Sequence, residues 1–434
     1  MQQTLQSSAT PRADQRGNFI PVRKTDILDA LIERGQFADD RQREQFRQIC
    51  KVLVAVYHYE YFDRLEKLRN AYYYFNPELS SHVRFGAEAV DRAYAELLES
   101  LVAVLKGANF VEVPHEEIER AHRESAEVTV EIRTPLDDFR DVRFFRRGQH
   151  QDSFNVPRWY GWGQRTIEAT VYDDVVLFVA LKPDTRDVHR SRRTRKRRIR
   201  PGSVLIKYFR NIASSDLNAL FPNVQVVMSL FDKLVLGVPA IAGGIPILLN
   251  LASTVTVLFL VVGFYLGVSA AVEDDQLKGA FAAMSGLVAL GGFIMRQWMK
   301  YQRQSLMYQK QLTDNIYFRN VNNNAGIFDY IIGAAEEQEC KEAFLAYFFL
   351  QQGPLTQGEL DTRIEAWLKD SFDIDTDFEI DDALGKLERL SLLRRDGDRL
   401  SVLPPEDALA RLDHVWDNYF QYNKATVTPA NLRR

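Results

Sequence analysis

The sequence predicts a multidomain membrane protein with three parts. These are an N-terminal helical plus α+β cytoplasmic region, a two-helix transmembrane hairpin, and a C-terminal winged-helix-like domain. The chain has 434 residues, which is more than one hydrophobic core usually holds. No charged side chain occurs from Leu234 to Val272. Helical and strand-like patterns occupy separate stretches on either side of this apolar band.

The composition of the chain limits the classes of protein to which it can belong. Hydrophobic residues make up 46% of the chain and charged residues 26%, which is ordinary for a globular protein. The formal net charge of −4 is too small to indicate a nucleic-acid partner for the whole molecule. The two cysteines, Cys50 and Cys340, lie far apart in the sequence. They favour free thiols in a reducing compartment over a disulfide scaffold.

The region before the apolar band divides into a tail, a helical part and an α+β part. Residues 1–18 are polar and predict a disordered tail. Residues 19–125 carry apolar side chains at helical spacing. Residues 126–222 contain β-branched and aromatic runs, such as TIEATV and VVLFVAL, and predict a small α+β region. Asp173 and Asp174 separate these two runs, and we interpret them as a hairpin turn.

A loop at 186–200 within the α+β region is strongly basic. Its candidate contacts with lipid headgroups are Arg192, Arg193, Arg195, Lys196, Arg197 and Arg198. Near a membrane, anionic headgroups attract such a run by ~1 kcal/mol per basic residue. A solvated loop and a site for nucleic-acid phosphates are the two alternatives.

The apolar band at 234–295 predicts the transmembrane hairpin. Two spans are expected at about 251–270 and 279–295, because about 20 apolar residues cross a bilayer core of ~30 Å. The Pro- and Gly-containing segment at 234–249 is expected to be broken, and to lie at the interface or to be re-entrant. Small side chains spaced for close helix packing in the membrane are Ala282, Ser285, Gly286 and Ala289.

The flanks of the hairpin predict its orientation. Basic residues precede the first span and follow the second, whereas the turn between the spans is acidic. Basic flanks stay on the cytoplasmic side of a membrane. We therefore expect an integral protein of a bacterial inner membrane with both termini in the cytoplasm.

The region after the hairpin predicts a juxtamembrane helix at 296–335, a winged-helix-like domain at 336–403, and a C-terminal helix and tail at 404–434. Capping-box patterns that begin at Thr356 and Thr376 predict two helix starts. LLRRDGDRLSVL predicts a hairpin with an Asp-Gly turn. The residues leading into the third helix, DIDTDFEIDD, are acidic and repel phosphate. The domain is therefore predicted to be a protein-interaction or structural winged helix and not a DNA-binding one.

No motif in the sequence indicates a reaction. The chain lacks a GxxxxGK[ST] phosphate loop, an HExxH zinc pair, a GxSxG nucleophile elbow and a CxxC pair. We therefore assign no catalytic, cofactor-binding or metal residues and expect no cofactor and no enzymatic activity.

Three stretches together carry a family resemblance. They are PGSVLIKYFRNIASSDLNALFP, the Gly- and Pro-rich apolar band, and EEQECKEAFLAYFFL. In this order they resemble an uncharacterised two-span membrane protein family, a domain of unknown function, that includes transmembrane protein 143. The resemblance covers roughly Phe19 to Tyr422. It implies a two-span membrane protein and carries over no site residues.

Three functions are expected from these features. The leading one is a membrane-anchored cytoplasmic scaffold or adaptor, non-enzymatic and homo-oligomeric, with the lipid membrane and an unidentified protein as partners. The first alternative is an oligomeric channel or transporter, in which the Pro/Gly segment lines a pore. The second alternative is a membrane-tethered nucleic-acid binder that uses the Arg-rich loop. Nucleic acid is the less favoured partner.

Overall fold

The computed structural model describes residues 17–78, 85–114, 116–118, 131–133, 139–157, 164–183, 200–221, 225–227 and 317–419, with scattered positions from 259 to 310. The chain divides into two compact units. Unit 1 contains residues 1–115, 137–214 and 319–434. Unit 2 contains residues 116–136 and 215–318.

Three helices form the N-terminal part of unit 1. They are α1 (Lys24–Arg34), α2 (Asp40–Tyr73) and α3 (Ala87–Gly107). The side chain of Asp39 accepts a hydrogen bond from the backbone N–H of Gln42 and so caps the start of α2. The buried face of α2 repeats at helical spacing, as Phe46, Ile49 and Leu53 show.

An antiparallel sheet of five strands forms the second part of unit 1. In chain order, the first seven strands in the described part of the chain are β1 (Val111–Glu112), β2 (Glu131–Arg133), β3 (Phe139–Pro157), β4 (Gln164–Leu181), β5 (Val204–Ala213), β6 (Gln225–Val227) and β7 (Asn320–Asn323). The sheet of unit 1 has the order β1-β3-β4-β5-β7, whereas β2 and β6 pair with each other in unit 2. A 3-10 helix, Ser214–Leu220, follows β5.

The predicted hairpin turn at Asp173 and Asp174 is wrong. The two runs on either side of it form one continuous strand, β4, in which Asp174 is paired with Arg147 of β3 and with Arg210 of β5. From Val175 to Ala180 every side chain of β4 is buried. Such a strand has no solvent face, so polar residues within it must find partners inside the protein.

The C-terminal part of unit 1 contains four helices and a hairpin. They are α4 (Gly326–Gln351), α5 (Gln357–Phe372), α6 (Ile380–Arg389), β8 (Leu393–Asp396), β9 (Arg399–Val402) and α7 (Pro405–Asp417). The Asp-Gly turn is confirmed between β8 and β9, where Gly397 has a φ of 59°. Leu355, between α4 and α5, pairs with Leu400 of β9. This arrangement adds a third short strand segment to the hairpin.

The two capping-box predictions have different outcomes. The first is confirmed, because Thr356 accepts a hydrogen bond from the N–H of Glu359, whose carboxylate accepts one from the N–H of Thr356. The second is wrong, because α6 begins after Glu379 with no side-chain cap. The hydroxyl of Thr376 donates instead to the backbone carbonyl of Gly17, which is distant in sequence.

The helix α4 is the central element of unit 1. It contacts α1, α2, α3, α5 and α6, together with strands β5, β7 and β9. Every side chain from Gln338 to Leu350 is buried. A helix covered on all sides normally carries apolar residues all round. The four polar residues at 338, 339, 341 and 342 therefore need explanation.

The predicted transmembrane hairpin is contradicted by the part of the chain that the structure describes, where no helix is both long and apolar enough to cross a bilayer. The longest of these helices, α2 and α4, contain several charged side chains each, which oppose insertion into hydrocarbon. The segment at 234–249 lies outside the described residues, as does most of the stretches at 251–270 and 279–295. The described fold consists of helices packed with an antiparallel sheet. The predicted inner-membrane location rested on the hairpin and is contradicted with it.

The juxtamembrane helix predicted at 296–335 is also wrong as a single element. The strand β7 occupies Asn320–Asn323, and α4 begins only at Gly326. Between them Asn324 has a φ of 54°, a left-handed conformation that asparagine tolerates and a continuing helix does not.

Removal of the confirmed capping box gives a prediction for stability. We expect Thr356→Ala to lower the free energy of unfolding by about 1 kcal/mol, because the N–H of Glu359 loses its side-chain acceptor. Thr362→Ala is the control on the same helix, since its hydroxyl bonds only the carbonyl of Gly358. It should change the value by less than about 0.5 kcal/mol. Urea unfolding followed by circular dichroism measures both, and equal values would contradict the prediction.

Candidate functional site

A group of charged side chains joins α4 to α6, and we call it the Lys386 cluster; all of its members except the half-exposed Asp382 are buried. Its members are Glu339 and Glu342 on α4, and Asp382 and Lys386 on α6. The ammonium of Lys386 lies 2.8 Å from a carboxylate oxygen of Asp382 and 3.4 Å from one of Glu339. It also donates a short hydrogen bond to Glu342. The side chains of Lys386 and Glu342 are 4% and 1% exposed. One buried ammonium is therefore surrounded by three carboxylates.

Neutral side chains complete the hydrogen bonding of the two α4 carboxylates. The amide of Gln338 donates to Glu342 over 2.8 Å, and the amide of Asn109 donates to the same oxygen over 3.2 Å. The hydroxyl of Tyr61 donates to Glu339 over 3.0 Å. These donors come from α2, α4 and the residues after α3, so the cluster connects distant parts of the chain.

The electrostatics of the cluster favour the charged form of Lys386. Burial by itself opposes the charged form of Lys386, but the attraction of Glu342, Glu339 and Asp382 is stronger and raises the pKa of Lys386. Burial raises the pKa of Glu342, and the adjacent ammonium acts in the opposite direction. Burial, together with the charge of Glu339, also raises the pKa of Tyr61. Lys386 therefore acts as the counter-ion of these carboxylates.

A second buried group, the Asp174 cluster, lies on three neighbouring strands. It consists of Arg147 on β3, Asp174 on β4, and Tyr208 and Arg210 on β5. Asp174 is the direct cross-strand partner of both arginines. Arg147 donates to one of its carboxylate oxygens over 2.6 and 2.9 Å. The other oxygen accepts from Tyr208 over 2.5 Å and from Arg210 over 3.3 Å.

The carboxylate of Asp174 thus accepts hydrogen bonds from two guanidinium groups and a phenol. Arg147 and Asp174 are almost fully buried, whereas half of the Arg210 side chain is exposed. Burial, followed by the charge of Asp174, raises the pKa of Tyr208, so the phenol keeps its proton and donates. A buried charge pair with this many hydrogen bonds fixes the register of the three strands.

A cluster of aromatic rings lies at the surface of unit 1, and we call it the aromatic patch. It contains Tyr59 and Phe62 on α2, Trp416 on α7, and Tyr419 just after α7. The ring centre of Tyr59 lies 6.3 Å from Phe62, 6.0 Å from Trp416 and 4.5 Å from Tyr419. Phe62 is 49% exposed and Trp416 is 44% exposed. The patch therefore presents large apolar rings to solvent.

The described residues offer no group of three or more His, Cys, Asp or Glu side chains suited to a metal ion. In the Lys386 cluster, the ammonium lies among the three carboxylates. Cys50 and Cys340 are both buried and free, as the sequence predicts. Burial raises the pKa of Cys340 to about 12 and that of Cys50 well above its usual value. Neither thiol is therefore suited to act as a nucleophile.

The residues singled out from sequence alone contribute to none of these clusters. The six basic residues proposed to contact lipid lie outside the described part of the chain, as do Ala282 and Gly286. Ser285 and Ala289 are described as exposed helical positions. Sequence reasoning did not find the two clusters, which depend on contacts between distant residues; Tyr61, which donates to Glu339, is 278 positions away from it. The one available signal is the set of charges in EEQECKEAFLAYFFL, at the start of an apolar run with no polar face.

Part of the chain matches a known family. Residues 172–326 match a family described as "Protein of unknown function (DUF3754)". The match contains Asp174, Tyr208 and Arg210, and it ends before the charged residues of α4. No solved structure matches the chain. The match supports the domain of unknown function within the predicted resemblance; it shows neither two membrane spans nor a link to transmembrane protein 143.

Proposed function

We propose that this protein is a non-enzymatic scaffold that binds protein partners and assembles with a second copy of itself. The observation that carries the proposal is the aromatic patch. Tyrosine and tryptophan are the residues most enriched at the energetic centres of protein interfaces. Exposed apolar side chains that cluster mark interaction sites more often than scattered ones do. Here three rings from two helices and a fourth, Tyr419, from the residues just after α7 lie side by side.

The packing beneath the patch supports its use as a binding surface. The helix α7 packs against α2, so the rings are presented by two helices that contact each other. Acidic Asp63 and basic Arg64 follow Phe62 on α2, so both signs of charge border the patch. Around a two-fold axis, a patch with this border can place unlike charges opposite each other.

The buried clusters support a platform function. The carboxylates of the Lys386 cluster are hydrogen-bonded to a buried ammonium, a phenol and two amides. The carboxylate of Asp174 is occupied by two guanidinium groups and a phenol. Groups held in this way rigidify the elements they join, and rigid elements place a binding surface accurately.

The other functions expected from the sequence have less support. The nucleic-acid alternative depends on the Arg-rich loop at 186–200, which lies almost wholly outside the described residues. The channel alternative depends on the contradicted hairpin. The relation to the family that includes transmembrane protein 143 stays a prediction from the residues that resemble it.

Truncation of the patch tests the proposal. We expect the double variant F62A/W416A to weaken self-association at least about 10-fold, because two exposed rings are lost from the centre of the interface. Tyr73→Ala is the matched control, since Tyr73 lies on the same helix, is also 49% exposed and is outside the patch. Light scattering after size-exclusion chromatography, over a range of concentrations, gives the mass of each variant. A wild-type chain that stays monomeric throughout, or a control that behaves like the double variant, would contradict the proposal.

A further inference from the structure

An extended segment near the N-terminus, Gly17–Ile20, lies against side chains from distant parts of unit 1. We call this segment the strap. The residues that hold it come from the end of α3, from β3, from α4 and from the stretch before α6. They form a groove that consists of Asn109, Arg147, Lys341, Thr376 and Glu379. None of these residues belongs to the aromatic patch.

The groove binds the main chain of the strap. The carbonyl of Gly17 accepts from the hydroxyl of Thr376 over 2.6 Å and from the N–H of Asp377 over 3.2 Å. The carbonyl of Asn18 accepts from the amide of Asn109 over 2.7 Å. The carbonyl of Ile20 accepts from the ammonium of Lys341, also over 2.7 Å. Gly17 and Thr376 form a parallel β-bridge. One of these four bonds is between main chains and three are donated by side chains, so the strap is held through its main chain as an extended peptide.

The groove also distinguishes the side chains of the strap. The amide of Asn18 donates to Glu379. The ring of Phe19 contacts two cations: its centre lies 4.2 Å from the guanidinium carbon of Arg147 and 5.2 Å from the ammonium of Lys341. The side chain of Ile20 is fully buried. The groove therefore holds three successive side chains of the strap, which carry an amide, an aromatic ring and a branched aliphatic group.

Lys341 shows why the groove needs an occupant. The residue is 2% exposed, and among the described residues no carboxylate oxygen lies within ion-pair distance of its ammonium. Burial lowers the pKa of Lys341 to about 8. The carbonyl of Ile20 and the face of Phe19 therefore supply solvation that water supplies to an exposed lysine. Any segment that replaces the strap must offer a carbonyl and an aromatic face at the same two places.

We propose that this groove is a peptide-binding site, which the strap occupies in cis and which a segment of a partner protein occupies in trans. The partner segment is extended and carries an amide residue, an aromatic residue and a branched aliphatic residue in succession. A Cβ at the position of Gly17 meets no atom within 4 Å, so the first position accepts residues other than glycine. The inference does not depend on self-association through the aromatic patch.

A labelled peptide tests this site in the full-length chain. The probe is QRGNFIPVR, which contains the strap sequence, and the receptor is the variant F19A/I20A, whose own strap is weakened. Fluorescence anisotropy should show saturable binding to this variant that is at least about 10-fold tighter than to the wild type, because a tethered strap competes at high effective concentration. A probe with both positions changed to alanine should bind at least about 10-fold more weakly. Absence of saturable binding, or equal binding of the altered probe, overturns the proposal.

Two receptor variants show whether the probe occupies the groove. Lys341→Met, added to the strap-weakened chain, should reduce binding at least about 10-fold, because the carbonyl and the ring of the probe lose the ammonium. Lys369→Met removes an exposed lysine outside the groove and should leave binding unchanged. Equal effects of the two substitutions overturn the assignment of the site.

A second measurement covers the case in which the weakened strap prevents folding. A protease site inserted between Val22 and Arg23 leaves the strap sequence intact while the chain folds. After cleavage the strap is held only by its contacts in the groove. We expect the labelled probe to replace it, and the amount of bound probe to rise with probe concentration. A cleaved chain that never exchanges its strap for the probe overturns the proposal, since the strap is then a fixed part of the core.

Discussion

Replacement of Lys386 with methionine is expected to lower the free energy of unfolding by about 3 to 5 kcal/mol. The substitution keeps most of the side-chain volume and removes the ammonium that lies among Glu339, Glu342 and Asp382. Glu342 is 1% exposed, so its carboxylate is left in the protein interior without a counter-ion. Urea unfolding at neutral pH, followed by circular dichroism, measures the loss.

A surface lysine supplies the matched control for this substitution. Lys369 lies 2.6 Å from Asp373, but its side chain is 54% exposed and that of Asp373 is 89% exposed. Lys369→Met should therefore cost less than about 1 kcal/mol. A further variant, K386M/E342Q, replaces the unpaired carboxylate of Glu342 with an amide and should recover part of the stability that K386M loses. A loss in K386M no larger than that in K369M would show that the Lys386 cluster is not a buried ionic network.

The same variant should respond to pH in a definite direction. Burial already raises the pKa of Glu342 in the presence of Lys386, and removal of the ammonium raises it further. A carboxyl group whose pKa is higher in the folded than in the unfolded state destabilises the fold as pH rises through the interval between the two values. Below both pKa values the carboxyl group is protonated in the folded and the unfolded state, and the destabilisation disappears. K386M should therefore differ less from the wild type at pH 5 than at pH 8, and the opposite order would contradict this explanation.

Local signals in the sequence predict local structure well in this chain. The capping box at Thr356 requires only residues three apart, and the Asp-Gly turn before β9 requires only two neighbours. Both are present where the sequence places them. The second capping box failed because Thr376 donates to Gly17, more than 350 positions away, and a single sequence gives no indication of that contact.

The same limit explains the failures at the site. Two aspartates between apolar runs are typical of a turn, yet Asp174 lies within β4 because Arg147 and Arg210 on the adjacent strands neutralise it. Tyr57 and Tyr61 belong to the helically spaced apolar residues of α2, and both are buried. Tyr59 and Phe62 lie on the other face of the same helix, and their exposure depends on how α7 packs there. The type of a side chain predicts whether it is buried only when the surface that packs against it is known.

Asp174→Ala should lower the free energy of unfolding by about 3 to 5 kcal/mol, as much as Lys386→Met. The substitution removes the acceptor of Arg147, whose side chain is 5% exposed, and also the acceptor of the Tyr208 hydroxyl. Arg147 then retains the carbonyl of Ala108 at 3.4 Å and the rings on either side of it, and neither neutralises its charge. The unfolding midpoint in urea should fall accordingly, with an unchanged slope.

The neighbouring aspartate makes this prediction specific. Asp173 lies on the same strand and contacts His150 at 2.7 Å, with both side chains close to half exposed. Asp173→Ala should therefore cost less than about 1 kcal/mol. The two adjacent substitutions remove the same chemical group from sites that differ in burial and in hydrogen-bond partners. If they destabilise the chain equally, the register of β3, β4 and β5 does not depend on the buried carboxylate, and the Asp174 cluster loses its assigned role.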